Sequence, residues 1–224
     1  VMPEHFRFTA KFPRDVSHEG DLRDQLEPAF DFTRLMAPLG QRVSPYWLQL
    51  PAQFGPARLG ELCHFLDQIA VPVAVEVRNQ AFFAKGEEER LLNRLLHERG
   101  VERICLDPRA LFSCTSRDPA VLHAQSKKPK VPPRPAAFSQ HPQVRFIGHP
   151  ELEANHTFLS PWVEKVAAWI EEGRNPYIFL HTSDNRLAAA LAQRFHQRLM
   201  ARLPGLAPLP ELPRAPEVEQ LGLL

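Results

Sequence analysis

Short β-rich runs alternate with amphipathic helical stretches along nearly the whole chain, and this alternation constrains the fold more than any other feature. Residues 6–12 alternate in polarity and stop at Pro13, the pattern of a strand. Residues 21–39 carry Leu22, Leu26, Phe30 and Leu35 near helical spacing, which predicts a helix with a bend near Pro28, closed by Gly40. The alternation continues with strands over 46–50, 73–77, 103–107, 144–147 and 177–181. Helices are predicted over 56–69, 87–99, 160–172 and 187–203, with Ser160 as N-cap, Pro161 in the first turn and Gly173 as the stop.

Strands separated by helices imply a parallel sheet with helical crossovers. The expectation is an α/β fold, a TIM-like (β/α) barrel. Eight strands close such a barrel, whereas six are counted here. About the first two strands are therefore expected to be missing, the alternative being an open doubly wound sheet. Residues 1–203 read as one barrel domain, incomplete at its N-terminus. The strand ending at Asp107 has no clear helix after it. Residues 108–142 include Lys127-Lys128-Pro129-Lys130-Val131-Pro132-Pro133-Arg134-Pro135, a run too rich in proline for an ordinary helix. They are expected to form an extended excursion over the surface. Residues 204–224, with Pro208, Pro210, Pro213 and Pro216, read as an extended tail.

Composition removes several classes of function. Lys and Arg number 27 against 26 Asp and Glu, so net charge gives no reason to expect nucleic-acid binding. No apolar run approaches the roughly 20 residues needed to span a bilayer. Cys63, Cys105 and Cys114 are too few and too scattered for a disulfide framework, and fit a reducing, cytoplasmic compartment. The phosphate-binding glycine loops G-x-G-x-x-G and G-x-x-x-x-G-K-[ST] are absent, as is the G-x-S-x-G of serine hydrolases.

In parallel α/β proteins the chemistry gathers at the C-terminal ends of the strands. That filter selects Lys11, Gln49, Glu76 with Arg78, Asp107, Arg145 with His149, and His181 with Ser183, Asp184 and Asn185. Glu76 and Arg78 share one face of their strand. Together with Arg145 they read equally well as an internal ion pair or as part of a site. Two arginines in a barrel mouth suit a phosphate or carboxylate, which guanidinium grips with two hydrogen bonds. Ser183, Asp184 or Asn185 could cap the last helix, whose N-terminus would attract an anion. His18 lies in the loop after the first visible strand and could reach the mouth. Glu76, Asp107, His149 and His181 are potential metal ligands, but no H-x-x-x-H or H-x-H spacing supports a metal. No metal ligand is assigned and no cofactor is specified.

Several stretches resemble one family together. These are Phe8-Thr9-Ala10-Lys11-Phe12-Pro13 with Ser17-His18, then Tyr46-Trp47-Leu48-Gln49-Leu50-Pro51, then Val75-Glu76-Val77-Arg78-Asn79 with Phe82-Phe83-Ala84-Lys85-Gly86. Lys127-Lys128-Pro129-Lys130-Val131-Pro132, Val144-Arg145-Phe146-Ile147-Gly148 and Phe179-Leu180-His181-Thr182 follow in order. The set resembles the YecE-like family, a bacterial domain of unknown function, over nearly the whole chain. The resemblance implies a cytoplasmic TIM-like barrel whose first two strands and intervening helix are absent here. It supplies no reaction.

The functional expectation is therefore a barrel enzyme acting on a small anionic or phosphorylated substrate. Glu76, Asp107, His181 and Lys11 are the candidate catalytic groups. Arg78, Arg145, Gln49, His18 and Asn185 are the candidate substrate-binding groups. The alternatives are a metal-dependent hydrolase acting on phosphodiesters and a ligand-binding protein without catalysis.

Overall fold

The computed structural model describes residues 6–210 of the chain. Its strands are β1 (Tyr46–Gln49), β2 (Val73–Glu76), β3 (Glu102–Arg103), β4 (Cys105–Asp107), β5 (Gln143–Ile147) and β6 (Tyr177–His181). All pair in parallel, in the orders β1-β2-β3 and β4-β5-β6. The two sheets share one extended segment. β3 lies against β2, the Ile104 N–H donates to the Val75 carbonyl at 2.9 Å, and β4 lies against β5. The N-terminal stretch joins β1 through two parallel bridges, Phe8 to Val43 and Lys11 to Trp47.

The helices are α1 (Arg14–His18), α2 (Leu26–Met36), α3 (Leu59–Gln68), α4 (Glu87–Glu98), α5 (Arg109–Ser113), α6 (Pro119–Lys127), α7 (His156–Glu171) and α8 (Ala188–Arg202). They bury their apolar stripes against one face of the sheet. Leu62 and Phe65 of α3 and Leu92 and Leu96 of α4 share a core with Leu48, Val73 and Val75. Trp162 and Trp169 of α7 and Leu191 and Phe195 of α8 share another with Cys105, Val144 and Phe146. Side chains of this size each contribute about 1.5–3 kcal/mol when fully buried.

The opposite face of the sheet is concave. Trp47 on β1 and Phe179 on β6 bring their rings to 4.9 Å. Four strand steps separate these residues, a span of about 19 Å in a flat sheet. The sheet must therefore curl for the two rings to meet.

Several sequence expectations need correction. The first run forms two bridges rather than a regular strand. Pro28 sits in the first turn of α2, where a missing N–H costs nothing, and the helix expected over 21–39 is divided before it, a 3-10 turn over Leu22–Gln25 giving way to α2 at Leu26. α7 begins at His156, which places Pro161 inside the helix and leaves Ser160 bonding back to the His156 carbonyl instead of capping. Residues 108–142 are not wholly extended: α5 and α6 fill the first half, and the remainder is pinned rather than free. Val131 is buried there, and Arg134 Nε donates to Glu89 Oε1 at 2.6 Å. Glu89, in the acidic first turn of α4, is buried and also accepts from Arg103 and the Lys85 N–H. Of the proline-rich tail only residues 204–210 are described, so most of that expectation lies outside the described residues.

Candidate functional site

Register and parity decide which strand-end groups can meet. Trp47 pairs with Ala74 and Gln49 with Glu76, so these four share a face. Arg145 pairs with Phe179, and Ile147 with His181. Since Phe179 packs on Trp47, Arg145 and His181 belong to the same concave face. Lys11 bridges Trp47 and joins them from the N-terminal stretch.

There the side chains converge on two acceptors. The Gln49 side-chain oxygen accepts from Lys11 Nζ at 3.2 Å, Arg78 Nη2 at 2.9 Å and Arg145 Nη1 at 3.1 Å. Glu76 is 0% exposed. It accepts from Arg78 Nε at 2.9 Å and from Arg145 Nη1 at 3.1 and 3.0 Å on its two oxygens. Lys11 Nζ stands 4.4 Å over the Trp47 ring, and the Arg145 guanidinium 5.5 Å from it. Trp47 thus supplies an electron-rich floor that attracts both cations.

The charges do not balance. Three cations surround a single carboxylate, and a carbonyl oxygen with two lone pairs is asked to serve three donors. Arg145, 7% exposed, makes its bonds through Nη1 while its Nε is buried without a partner. The Trp47 indole N–H and the Thr182 hydroxyl are also buried without partners.

The titration of each group follows from this crowding. Burial alone would raise the Glu76 carboxyl, but Arg145, Arg78 and Lys11 outweigh it and hold the group below its ordinary value. Burial and then Arg145 push the Lys11 amine down to about 8. The same two causes push His181 down to about 4, leaving it neutral at physiological pH. Lys128 is lowered by burial, Arg145 and Arg78. His18 is lowered by burial, Arg14 and Arg78.

The structure thus brings Lys11, Gln49, Glu76, Arg78, Arg145 and His181 onto one concave face. His18 feels the field of Arg78 and Glu76, although its ring bonds the Ser17 hydroxyl at 2.7 Å. Asn185, at φ +62°, places its side-chain oxygen 3.3 Å from His181 Nδ1 and so acts through that histidine. Asp107 does not join. It pairs with Phe146, one residue out of parity with Arg145, and therefore faces the helices. There it accepts from the Trp162 indole at 2.7 Å and from Arg109 at 2.8 Å. His149 is held in a turn, its Nδ1 accepting from the Glu151 N–H. None of Ser183, Asp184 and Asn185 caps α8, whose N-terminus carries no side-chain cap. Two contributors, Trp47 and Lys128, are not among the residues that the strand-end filter selects. Trp47 sits one strand position pair below Gln49, a parity signal that was readable. Lys128 is delivered by the proline-rich excursion, whose path no local pattern reveals.

A metal-dependent reading requires Glu76, Asp107 and His181 at one point, and the face change at Asp107 prevents it. Among the described residues no three His, Cys, Asp or Glu side chains stand together as a metal-ion site. The donor-rich cluster suits a group that accepts hydrogen bonds and carries negative charge.

Comparisons with known proteins agree with this fold. Residues 1–217 match the family model described as protein of unknown function DUF72. The chain is 41% identical over 213 residues to UPF0759 protein YecE of Escherichia coli K12, covering 94% of this chain and 78% of the relative. The same figures hold for the YecE protein of Escherichia coli O157:H7. A crystal structure of a DUF72 family protein from Enterococcus faecalis V583 superposes with a TM-score of 0.62 at 14% identity, over 95% of this chain and 80% of that one. At that identity the likeness speaks to fold alone. Among the described residues no helix is long and apolar enough to cross a membrane.

Proposed function

Because the chain belongs to the DUF72 family of proteins of unknown function, the site itself must carry the reading, and we propose that it is an enzyme that binds a small anionic or phosphorylated substrate at the C-terminal strand ends. One observation carries this: Lys11, Arg78 and Arg145 crowd one amide oxygen and one carboxylate. Such an arrangement is self-repelling until an anion enters.

In this reading Arg78 and Arg145 grip the anion, Gln49 and Glu76 hold the two guanidiniums in place, and Trp47 excludes water from below. Lys11 is the group able to exchange protons near neutral pH, while His181 stays neutral there. The curled parallel sheet would be part of a TIM-type (β/α) barrel over residues 1–203, where strand-end sites of this kind are usual. The free cysteines, two of them buried, fit a cytoplasmic location.

The test is thermal denaturation with inorganic phosphate and a panel of phosphorylated and carboxylated metabolites. The expected result is a concentration-dependent rise in melting temperature, lost in Arg145→Met and weakened in Arg78→Met. A panel that leaves the wild-type melting temperature unchanged overturns the reading.

A further inference from the structure

We propose that Lys11 is a nucleophile that condenses with the carbonyl carbon of an anionic aldehyde or ketone, a 2-oxo acid or a phosphorylated carbonyl compound, whose anionic group rests on Arg78 and Arg145. This deepens the anion-site reading and rests on it.

The argument begins with which cation can yield. Three positive groups share one carboxylate at Gln49 and Glu76. A guanidinium does not lose its proton in a protein, whereas an ammonium does. Repulsion within the cluster is therefore relieved at an ammonium, Lys11 or the neighbouring Lys128, and of the two it is Lys11 that bonds the Gln49 oxygen shared by both arginines, with Arg145 its largest charged influence. Neighbouring cations and partial desolvation are the means by which proteins make a lysine amine nucleophilic. Position matters as much as charge. Lys11 Nζ lies on the Trp47 face, bonded to the same oxygen as both arginines, yet the residue keeps solvent exposure, so a substrate can reach it. An anionic group on Arg78 and Arg145 leaves a carbonyl one or two carbons away beside this amine.

The chemistry balances without an oxidant or a metal. The amine lone pair attacks the carbonyl carbon and the C=O π pair moves to oxygen, which takes up a proton. The proton on oxygen is the one lost by the attacking nitrogen; the oxygen then takes a second proton from solvent, the C–O bond breaks, water departs and a C=N bond remains, so amine plus carbonyl plus one proton gives iminium plus water. His181, neutral and on the same face, is a base available for these proton transfers. The iminium would then withdraw electrons from an adjacent C–H or C–C bond, the common step of imine-forming lyases and isomerases.

The test is reductive trapping. The full chain is incubated with pyruvate, glyoxylate or glyceraldehyde 3-phosphate at pH 8, reduced with borohydride, digested and mapped by mass spectrometry. The expected result is a secondary amine on Lys11, suppressed by excess inorganic phosphate and reduced at least tenfold in Arg145→Met. Lys11→Arg keeps the charge but cannot form an imine, so it should retain the phosphate-induced rise in melting temperature and give no adduct. No adduct on Lys11, with the phosphate effect intact, overturns the inference and leaves the anion site standing. Absence of both adduct and phosphate effect overturns both. Labelling spread evenly over Lys85, Lys127, Lys130 and Lys165 also overturns the inference.

Discussion

Two glutamates on neighbouring strands point to the same face of the sheet, both shielded from water, and their carboxyls titrate in opposite directions. Glu76 ends β2 at 0% exposure, while Glu102 begins β3 at 1% and pairs in register with Ala74, two residues before Glu76. Glu102 accepts from the Phe138 N–H, the Ser139 N–H and the Ser139 hydroxyl, all on one oxygen. Its other oxygen is buried without a partner. Burial raises it to about 7 despite those three bonds. Glu76 instead meets two guanidiniums and stays ionised. Neutral donors offset only part of the cost of burying a carboxylate, whereas full charges at 3 Å exceed it. The same residue type thus makes a charged anchor at one end of the strands and a near-neutral structural group at the other. Excess cations, rather than a buried carboxylate, distinguish the candidate site.

The largest expected effect is at the charged end. Glu76→Gln leaves three cations without a counter-charge, and chemical denaturation should show a loss of about 3–5 kcal/mol. Added inorganic phosphate should recover part of it, because an anion replaces the lost charge. A loss below about 1 kcal/mol would break the comparison, since Glu76 would then resemble a surface partner.

The neutral end should respond in the opposite sense. The Glu102 carboxyl is raised in the folded state, so between its usual value of 4.5 and about 7 the folded chain binds more protons than the unfolded chain. Stability from this group is therefore lost as pH rises through that window. Glu102→Gln should remove the slope and make the variant more stable than wild type above pH 7, by at most about 3 kcal/mol. Stability measured across pH 4–9 checks this, and parallel curves for variant and wild type would refute it.

The smallest effect concerns His181. Its value falls from 6.5 to about 4 on folding, so here the unfolded chain holds the extra proton. Stability is lost as pH falls through that range, and His181→Asn should lack this loss. Partial exposure of the side chain keeps the change below that at Glu102. An unchanged acid limb in the same denaturation series would show that His181 titrates freely.

Much of this was legible in the residues. Alternation located β1, β2, β4, β5 and β6 to within a residue or two, because apolar runs bounded by proline and glycine leave little freedom. The strand-end rule found Lys11, Gln49, Glu76, Arg78, Arg145 and His181. It failed at Asp107 because a strand end has two faces. Which face Asp107 takes depends on its register with Phe146, a property of pairing rather than of the local sequence. The break at Ile104, where one segment leaves β2 to join β5, is likewise set by its neighbours. The start of α7 was misplaced, since Ser160 satisfies a capping pattern but bonds back into the helix, whereas α8 starts within one residue of the expected position and lacks only the expected cap, Asn185 meeting His181 instead. Lys128 escaped because α6 and the proline run after it fold back over long range.

The Gln49 side-chain oxygen has a last consequence. With three donors and two lone pairs, no arrangement of the empty cluster satisfies every partner at once. In the vocabulary of energy landscapes this is local frustration, a departure from the mutual agreement that otherwise marks a folded chain. A frustrated acceptor lowers the rigidity of the groups competing for it, and a ligand that adopts one of the three donors resolves the contest. Binding would then be felt as a quieting of motion at Lys11, Arg78 and Arg145 together, even where no backbone atom moves.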